Sequence, residues 1–177
     1  MTKPGTDPAC DVAHGRAPAA ENGRVLIAVF TSPVADYLLR YSADSGFRTV
    51  LVEPDEALAQ AARGQNAAAC EVRTEVPAGL DDTADVVITD HHRAELGMVL
   101  RDVLAGRPRW VGVMGNPRVP APHIPALTEL GVAPDDIARV HRPIGLNIGS
   151  RAPAEIAIAA LAGLIADRNG RPGGFSH

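Results

Sequence analysis

The residues best suited to chemistry in this chain sit in two glycine-rich stretches and two polar ones. Residues 140–155 read VHRPIGLNIGSRAPAE, a loop holding Pro143, Gly145, Asn147, Gly149 and Ser150 that runs straight into an apolar helix. Alternating glycines admit a second backbone, or a ligand, where a Cβ would clash. A helix that starts directly afterwards presents unpaired N–H groups, which attract anions. The same loop also reads as a tight turn that docks the final helix, and one such loop does not separate the two readings. A second one just upstream, GVMGNPR at 112–118 with Gly112, Gly115, Asn116 and Arg118, adds weight to the ligand-binding reading.

The polar stretches are Thr31 with Ser32, and the run Thr89, Asp90, His91, His92. Hydroxyls at a strand-to-helix turn can hold a phosphate. Glu53 follows about 20 residues later, where a dinucleotide site places an acid on the ribose; a carboxylate ending a strand reads equally as solvated surface. Asp90, His91 and His92 raise the question of a metal, but adjacent histidines in such a loop are expected to diverge, and no third ligand stands at useful spacing. Thr89 or Asp90 is instead expected to cap the next helix, with Glu95 near its first turn and the imidazoles facing the crevice, where one could act as acid or base near neutrality. Arg118, Arg142 and Arg151 read either as anion clamps or as exposed cations. His123 and His141 read as satisfied loop residues, Glu155 as a helix-dipole acid or a loop anchor, and Cys70 as a small buried hydrophobe.

Alternating apolar runs and helical patterns position these groups. Residues 24–30 (RVLIAVF), 48–53 (RTVLVE), 84–90 (ADVVITD) and 109–114 (RWVGVM) read as strands, with a weaker one at 68–73. Helical spacing covers 33–45, 55–63, 93–105 and 124–130, a short turn 135–138, and a last helix 153–167. Strands that are apolar throughout, separated by helices, predict a parallel sheet covered on both faces: a single doubly wound, Rossmann-like α/β domain over residues 24–170. Residues 1–23 and 171–177 read as tails without regular structure. Ligands of such sheets bind at the carboxyl ends of the strands, which is where all the residues above fall. A dinucleotide fold, however, needs a glycine-rich first turn, and here it is TSPVAD.

Composition narrows the classes. The 177 residues suit one domain, and a net charge of −4 argues against a general nucleic-acid binder. Lys3 is the sole lysine; the other cations are arginines, which suit planar contacts with phosphate or carboxylate, but the bias reads better as a reflection of genome base composition. Two cysteines, Cys10 and Cys70, make no disulfide framework, which fits a reducing cytoplasm. No secretory leader or membrane-spanning run is seen.

The stretch VGVMGNPR, followed by LGV and DIARVHRPIGLNIGSRAPAEIAIAALAGLIADRNG, resembles the C-terminal Rossmann domain of the xanthine dehydrogenase accessory proteins (the XdhC/CoxI/CoxF group). Its signature P-I-G-L-x-I-G-x-x-[TS]-P-x-E-I-A is matched by Pro143, Ile144, Gly145, Leu146, Ile148, Gly149, Pro153, Glu155, Ile156 and Ala157, and weaker similarity reaches back to Val25. Several departures stand out. The family's F-G-x-G-H first turn is Phe30, Thr31, Ser32, Pro33, Val34 here, and its T-H-D motif appears as Thr89, Asp90, His91. Glu95 stands where Asp is usual, Asn116 replaces Ser, and Ala152 replaces Thr or Ser. The family's cysteine-bearing amino-terminal domain is expected to be absent, so the chain reads either as a single-domain partner of a fuller accessory protein or as a divergent binder.

The resemblance implies a maturation role for molybdenum hydroxylases: carrying the phosphorylated molybdenum cofactor (molybdopterin or its dinucleotide form), and delivering it to the apo-enzyme or to another maturation factor. The protein is then a cofactor-binding accessory with little or no catalysis of its own, and self-association stays open. The alternative is a divergent NAD(P)-binding, oxidoreductase-like or sensory domain. The expected contacts are Thr31, Ser32, Glu53, Thr89, Asp90, His91, Gly112, Gly115, Asn116, Arg118, Gly145, Asn147, Gly149 and Ser150.

Overall fold

The computed structural model describes residues 8–17, 23–66, 70–116 and 118–173. Its elements in chain order are α1 (Pro8–Ala13), β1 (Val25–Val29), α2 (Pro33–Asp44), β2 (Arg48–Val52), α3 (Glu56–Asn66), β3 (Glu71–Arg73), β4 (Ala84–Ile88), α4 (Leu96–Ala105), β5 (Trp110–Val113), α5 (His123–Glu129), α6 (Pro134–Ile137), β6 (Val140–His141) and α7 (Pro153–Arg168). The strands form one parallel sheet in the order β3-β2-β1-β4-β5-β6. This is the doubly wound topology expected, with strand order reversing between β1 and β4.

Every residue of β1, β4 and β5 is buried, because helices cover both faces and no position along these strands meets water. The pleat sorts them. Val25, Ile27, Val29, Val86 and Ile88 join Val99, Leu100, Val103 and Leu127 under α4 and α5. Leu26, Ala28, Val87 and Trp110 join Leu38, Ala157, Ala160 and Leu164 under α2 and α7. With few aromatics in the chain, closeness rather than bulk fills the second layer. A Cβ on Gly163 would lie 3.0 Å from the Gly145 Cα, and Gly145, at φ +84°, could carry no Cβ without meeting the α7 backbone at Ala159 and Ala160, both 3.0 Å away. The Leu146 N–H donates to the Ala159 carbonyl at 3.0 Å. Part of the glycine loop is thus bound to the final helix.

The far end of α7 is pinned by charge. Asp85, fully buried on β4, accepts from Arg109 Nε at 2.6 Å and from Arg168 Nη2 at 2.7 Å, while Arg109 also reaches Asp167 at 2.7 Å.

Three expectations need correction. The helix anticipated over 93–105 starts at Leu96, because the Asp90 carboxylate accepts the His92 N–H at 2.9 Å and holds the chain in turns first. The two-residue edge strand β6 was not anticipated; it is too short to leave an apolar signature. Residues 8–13, inside the leader expected to lack regular structure, form α1, closed by an Arg16–Asp11 ion pair at 2.8 Å. The rest of that leader apart from 14–17 and Gly23, and residues 174–177 of the expected C-terminal tail, lie outside the described residues.

Removing one partner of a buried ion pair strands the other charges, at a cost of roughly 3–5 kcal/mol. Asp85→Ala is therefore expected to lower the urea midpoint by a corresponding amount, whereas Asp167→Ala, whose side chain is half exposed, should shift it by well under half of that.

Candidate functional site

The switch point between β1 and β4, where a dinucleotide would lie, is filled by the protein itself. Phe30 leaves β1 at φ 71°, fully buried, and the Arg93 guanidinium sits over its ring at 4.8 Å. Glu53, at the end of β2 and also fully buried, receives that guanidinium in a fork: Nη2 to Oε1 at 2.8 Å and Nη1 to Oε2 at 3.1 Å. Its oxygens further accept the Thr31 N–H at 2.8 Å, the Thr31 hydroxyl at 2.9 Å and the Asp55 N–H at 3.0 Å. Burial pushes the Glu53 carboxyl up, but Arg93 and these three donors outweigh it and hold it below the ordinary 4.5. Glu53 is neither solvated surface nor a free ribose acceptor; it is an internal counter-ion. Thr31 spends both its donors on it.

Thr89 is likewise committed. Its hydroxyl proton is shared between the Val29 and Phe30 carbonyls at 2.9 and 2.8 Å, so neither it nor Asp90 caps the following helix, whose N-cap position is Glu95. Ser32 caps α2, accepting the Ala35 N–H at 3.0 Å. Beside it lies a recess of about 250 Å³ between α2 and α3, but Asp36 lines it and its carboxylate opposes a phosphate there.

The loops after β4, β5 and β6 are different. The His91 and His92 rings do not diverge as anticipated: their centroids are 4.1 Å apart. Among the described residues no cluster of three or more His, Cys, Asp or Glu is placed to hold a metal ion. Gly112 lies within β5, not in a ligand loop; a Cβ there would overlap the Trp110 ring and sit 2.7 Å from Ile144, and that ring is stacked on His141 at 5.2 Å. Gly112 is a packing glycine. Gly115, by contrast, lies against Arg142, with a built Cβ only 2.7 Å from Nη2 and 2.8 Å from Nε. Arg142 donates from Nη2 to the Asn116 carbonyl and from Nη1 to the Val119 carbonyl, both at 3.0 Å, and the Asn116 side chain accepts the Arg118 N–H at 2.9 Å. Among the described residues Arg142 has no carboxylate within ion-pair distance, and its buried Nε has no hydrogen-bond partner.

His123, expected to be satisfied, is 3% exposed and its Nδ1 has no partner. Burial and the Arg142 charge push its pKa down; burial, His92 and Arg142 do the same to His91, against Asp90 and a hydrogen bond with the Met114 backbone. His123 also lines an open apolar groove of about 610 Å³ with Ile124, Val132 and Ile137.

In the last loop, Gly145 is consumed by docking on α7. Asn147 and Gly149 are exposed, and Gly149, at φ +69°, has open space where a Cβ would be. The first N–H groups of α7 lack a side-chain cap because Ala152 stands at that position; Glu155 reaches back to the Arg151 N–H at 3.3 Å. The structure therefore joins Gly115, Asn116 and Arg118 to Arg142, and ties Thr31 and Thr89 into the closed switch point. Sequence reasoning named Arg142 only as ambiguous and passed over His123. The signal available was their placement after β6 and β5; their missing partners could not be read from it.

A 3-2-1-4-5-6 parallel sheet, with Phe30, Glu53 and Arg93 packed together at its switch point, defines a Rossmann-type domain. The chain belongs to the XdhC Rossmann domain family, whose model matches residues 26–164. It is 43% identical over 66 residues to the uncharacterized protein YqeB of Escherichia coli (strain K12), covering 37% of this chain and 12% of that protein. A crystal structure of a protein described as a xanthine dehydrogenase from Bacillus halodurans superimposes with a TM-score of 0.65 at 22% identity, over 83% of this chain and 45% of the other. The chain thus spans a minor part of each relative, and the structural likeness speaks for the fold.

The depressed Glu53 pKa has a measurable consequence. Its stabilisation is complete above the unfolded value of 4.5 and disappears as pH falls through the lower folded value. Glu53→Gln should lower the thermal midpoint at pH 7 and flatten the stability curve below about pH 5, the wild type alone losing stability steeply there.

Proposed function

We propose that this chain is an accessory protein of molybdenum hydroxylases that holds the phosphorylated pterin cofactor on the loops following β4, β5 and β6. Family membership over residues 26–164 is the observation that carries the reading. The donor set on those loops fits the group: a guanidinium without a carboxylate, two imidazoles, and an exposed loop at Asn147 and Gly149 favour an anionic guest. When bound, the cofactor supplies the molybdenum redox centre. The chain's own part is to bind, to orient and to shield. Arg142 and the backbone around Gly115 and Asn116 hold the negatively charged end, and Gly149 leaves room for close approach. Recipients are an apo-hydroxylase or another maturation factor. No helix among the described residues is long and apolar enough to cross a membrane. An NAD(P)-dependent activity fits less well, since Phe30, Glu53 and Arg93 occupy the crevice that a pyrophosphate and ribose would need.

The test is mass spectrometry of small molecules released by denaturing protein expressed in a host that makes the cofactor. A phosphorylated pterin at substantial occupancy is the expected result, and its absence, or NAD(P) in its place, would refute the reading. Gly149→Val forces a β-branched residue into a left-handed conformation costing roughly 1–3 kcal/mol, so retention should fall by about tenfold or more with the helical circular dichroism unchanged.

A further inference from the structure

We infer that Arg142, His91 and His123 form a seat for an oxyanion, of the phosphate monoester class, where the loops after β4, β5 and β6 meet. Only the identity of the molecule bearing that group rests on the cofactor reading above.

The argument starts from how this protein treats its other interior cations. Arg93 faces Glu53 and Glu95, Arg109 faces Asp85 and Asp167, and Arg168 faces Asp85. Each of these three guanidinium groups has a carboxylate, as the cost of taking a charge out of water demands. Arg142, also partly buried, has two backbone carbonyls instead, those of Asn116 and Val119. Neutral acceptors orient the planar fork without neutralising it, and they use two of its five N–H groups. Nε is one of those left over, buried and unpartnered. The Nδ1 of His123 is a second buried nitrogen with no partner. Ser42 Oγ and Arg109 Nη2 are also without a partner among the described residues, but Arg109 has its two carboxylates; Arg142 and His123 act on each other by charge and have none, and so ask for a shared acceptor.

The surrounding charges agree. His91 faces Arg142 and His92, offset by Asp90 and the Met114 backbone; His123 faces Arg142 alone. Burial and the uncompensated guanidinium hold both imidazoles toward their neutral forms. An arriving anion reverses that sign, raises both pKa values and draws protons in, so binding strengthens as pH falls through the imidazole range. At the same spot Gly115 spares the guanidinium a Cβ that would press on Nη2 and Nε.

The experiment is NMR of the whole wild-type chain, following the histidine ring signals against pH and the Arg142 Nε–H signal, with inorganic phosphate or with chloride at equal ionic strength. Phosphate should raise the apparent pKa of His91 and His123 by roughly one pH unit or more and move the Arg142 Nε–H signal, leaving exposed His14 where it was. Arg142→Gln should abolish the response, and Arg142→Lys should restore part of it through charge without the fork. Absence of any phosphate-specific movement in the wild type, or an equal response in Arg142→Gln, would overturn the seat. Should Arg142→Gln fail to fold, the wild-type Nε–H signal still decides. Phosphate binding without any pterin released on denaturation keeps the seat and removes the cofactor reading. Pterin retained with no phosphate response does the reverse. Mass spectrometry of the released molecules separates a pterin phosphate from a nucleotide.

Discussion

The ion pair between Glu53 and Arg93 sets the shape of the sheet's carboxyl edge at its switch point. It spans the switch point from the end of β2 to the loop after β4, with Phe30 clamped beneath the guanidinium and Thr31 drawn onto the carboxylate. In the usual doubly wound sheet that gap is left open by glycines so that a pyrophosphate can touch backbone. Here the turn has no glycine, and a buried carboxylate with five donors takes the place of the guest. A salt bridge of this kind holds only if its remaining hydrogen bonds are made, and they are. The closure leaves the loops after β5 and β6 as the half of the carboxyl edge not tied into this ion pair.

That half is organised by two close approaches. Gly145 and Gly163 bring the loop after β6 onto α7, and Asp85 fixes the other end of α7 to the sheet through Arg109 and Arg168. With both ends of the helix fixed, the segment from Arg142 to Ser150 has a rigid floor. Arg142 then holds the turn after β5 through the Asn116 and Val119 carbonyls. One part of the glycine signature is thus architectural, at Gly145, and another, at Gly149, stays open to solvent. The docking reading of that loop is realised at Gly145, which packs on α7, while Gly149 has open space around it.

Family membership and geometry bear on different questions. The XdhC Rossmann domain model covers most of the chain and says what kind of domain it is. The local geometry says which buried side-chain atoms lack a partner among the described residues: Nε of Arg142 and Nδ1 of His123, with Ser42 Oγ and Arg109 Nη2 elsewhere in the fold.

Strand runs such as VLIAV and WVGV, with Pro33, Pro134 and Pro153 opening helices, made the doubly wound fold readable in the sequence, because burial on both faces leaves apolar runs of strand length between helical patterns. Their carboxyl ends likewise marked the edge on which polar residues gather. The sequence by itself determined the layers, the sheet's direction and that edge. Only the tertiary structure decided that Glu53 and Thr31 satisfy each other, that Gly112 yields its space to Trp110, and that Nε of Arg142 and Nδ1 of His123 go without a hydrogen-bond partner. Hydrogen-bond satisfaction depends on atoms tens of residues apart meeting within about 3 Å, and one-dimensional spacing carries no record of such meetings.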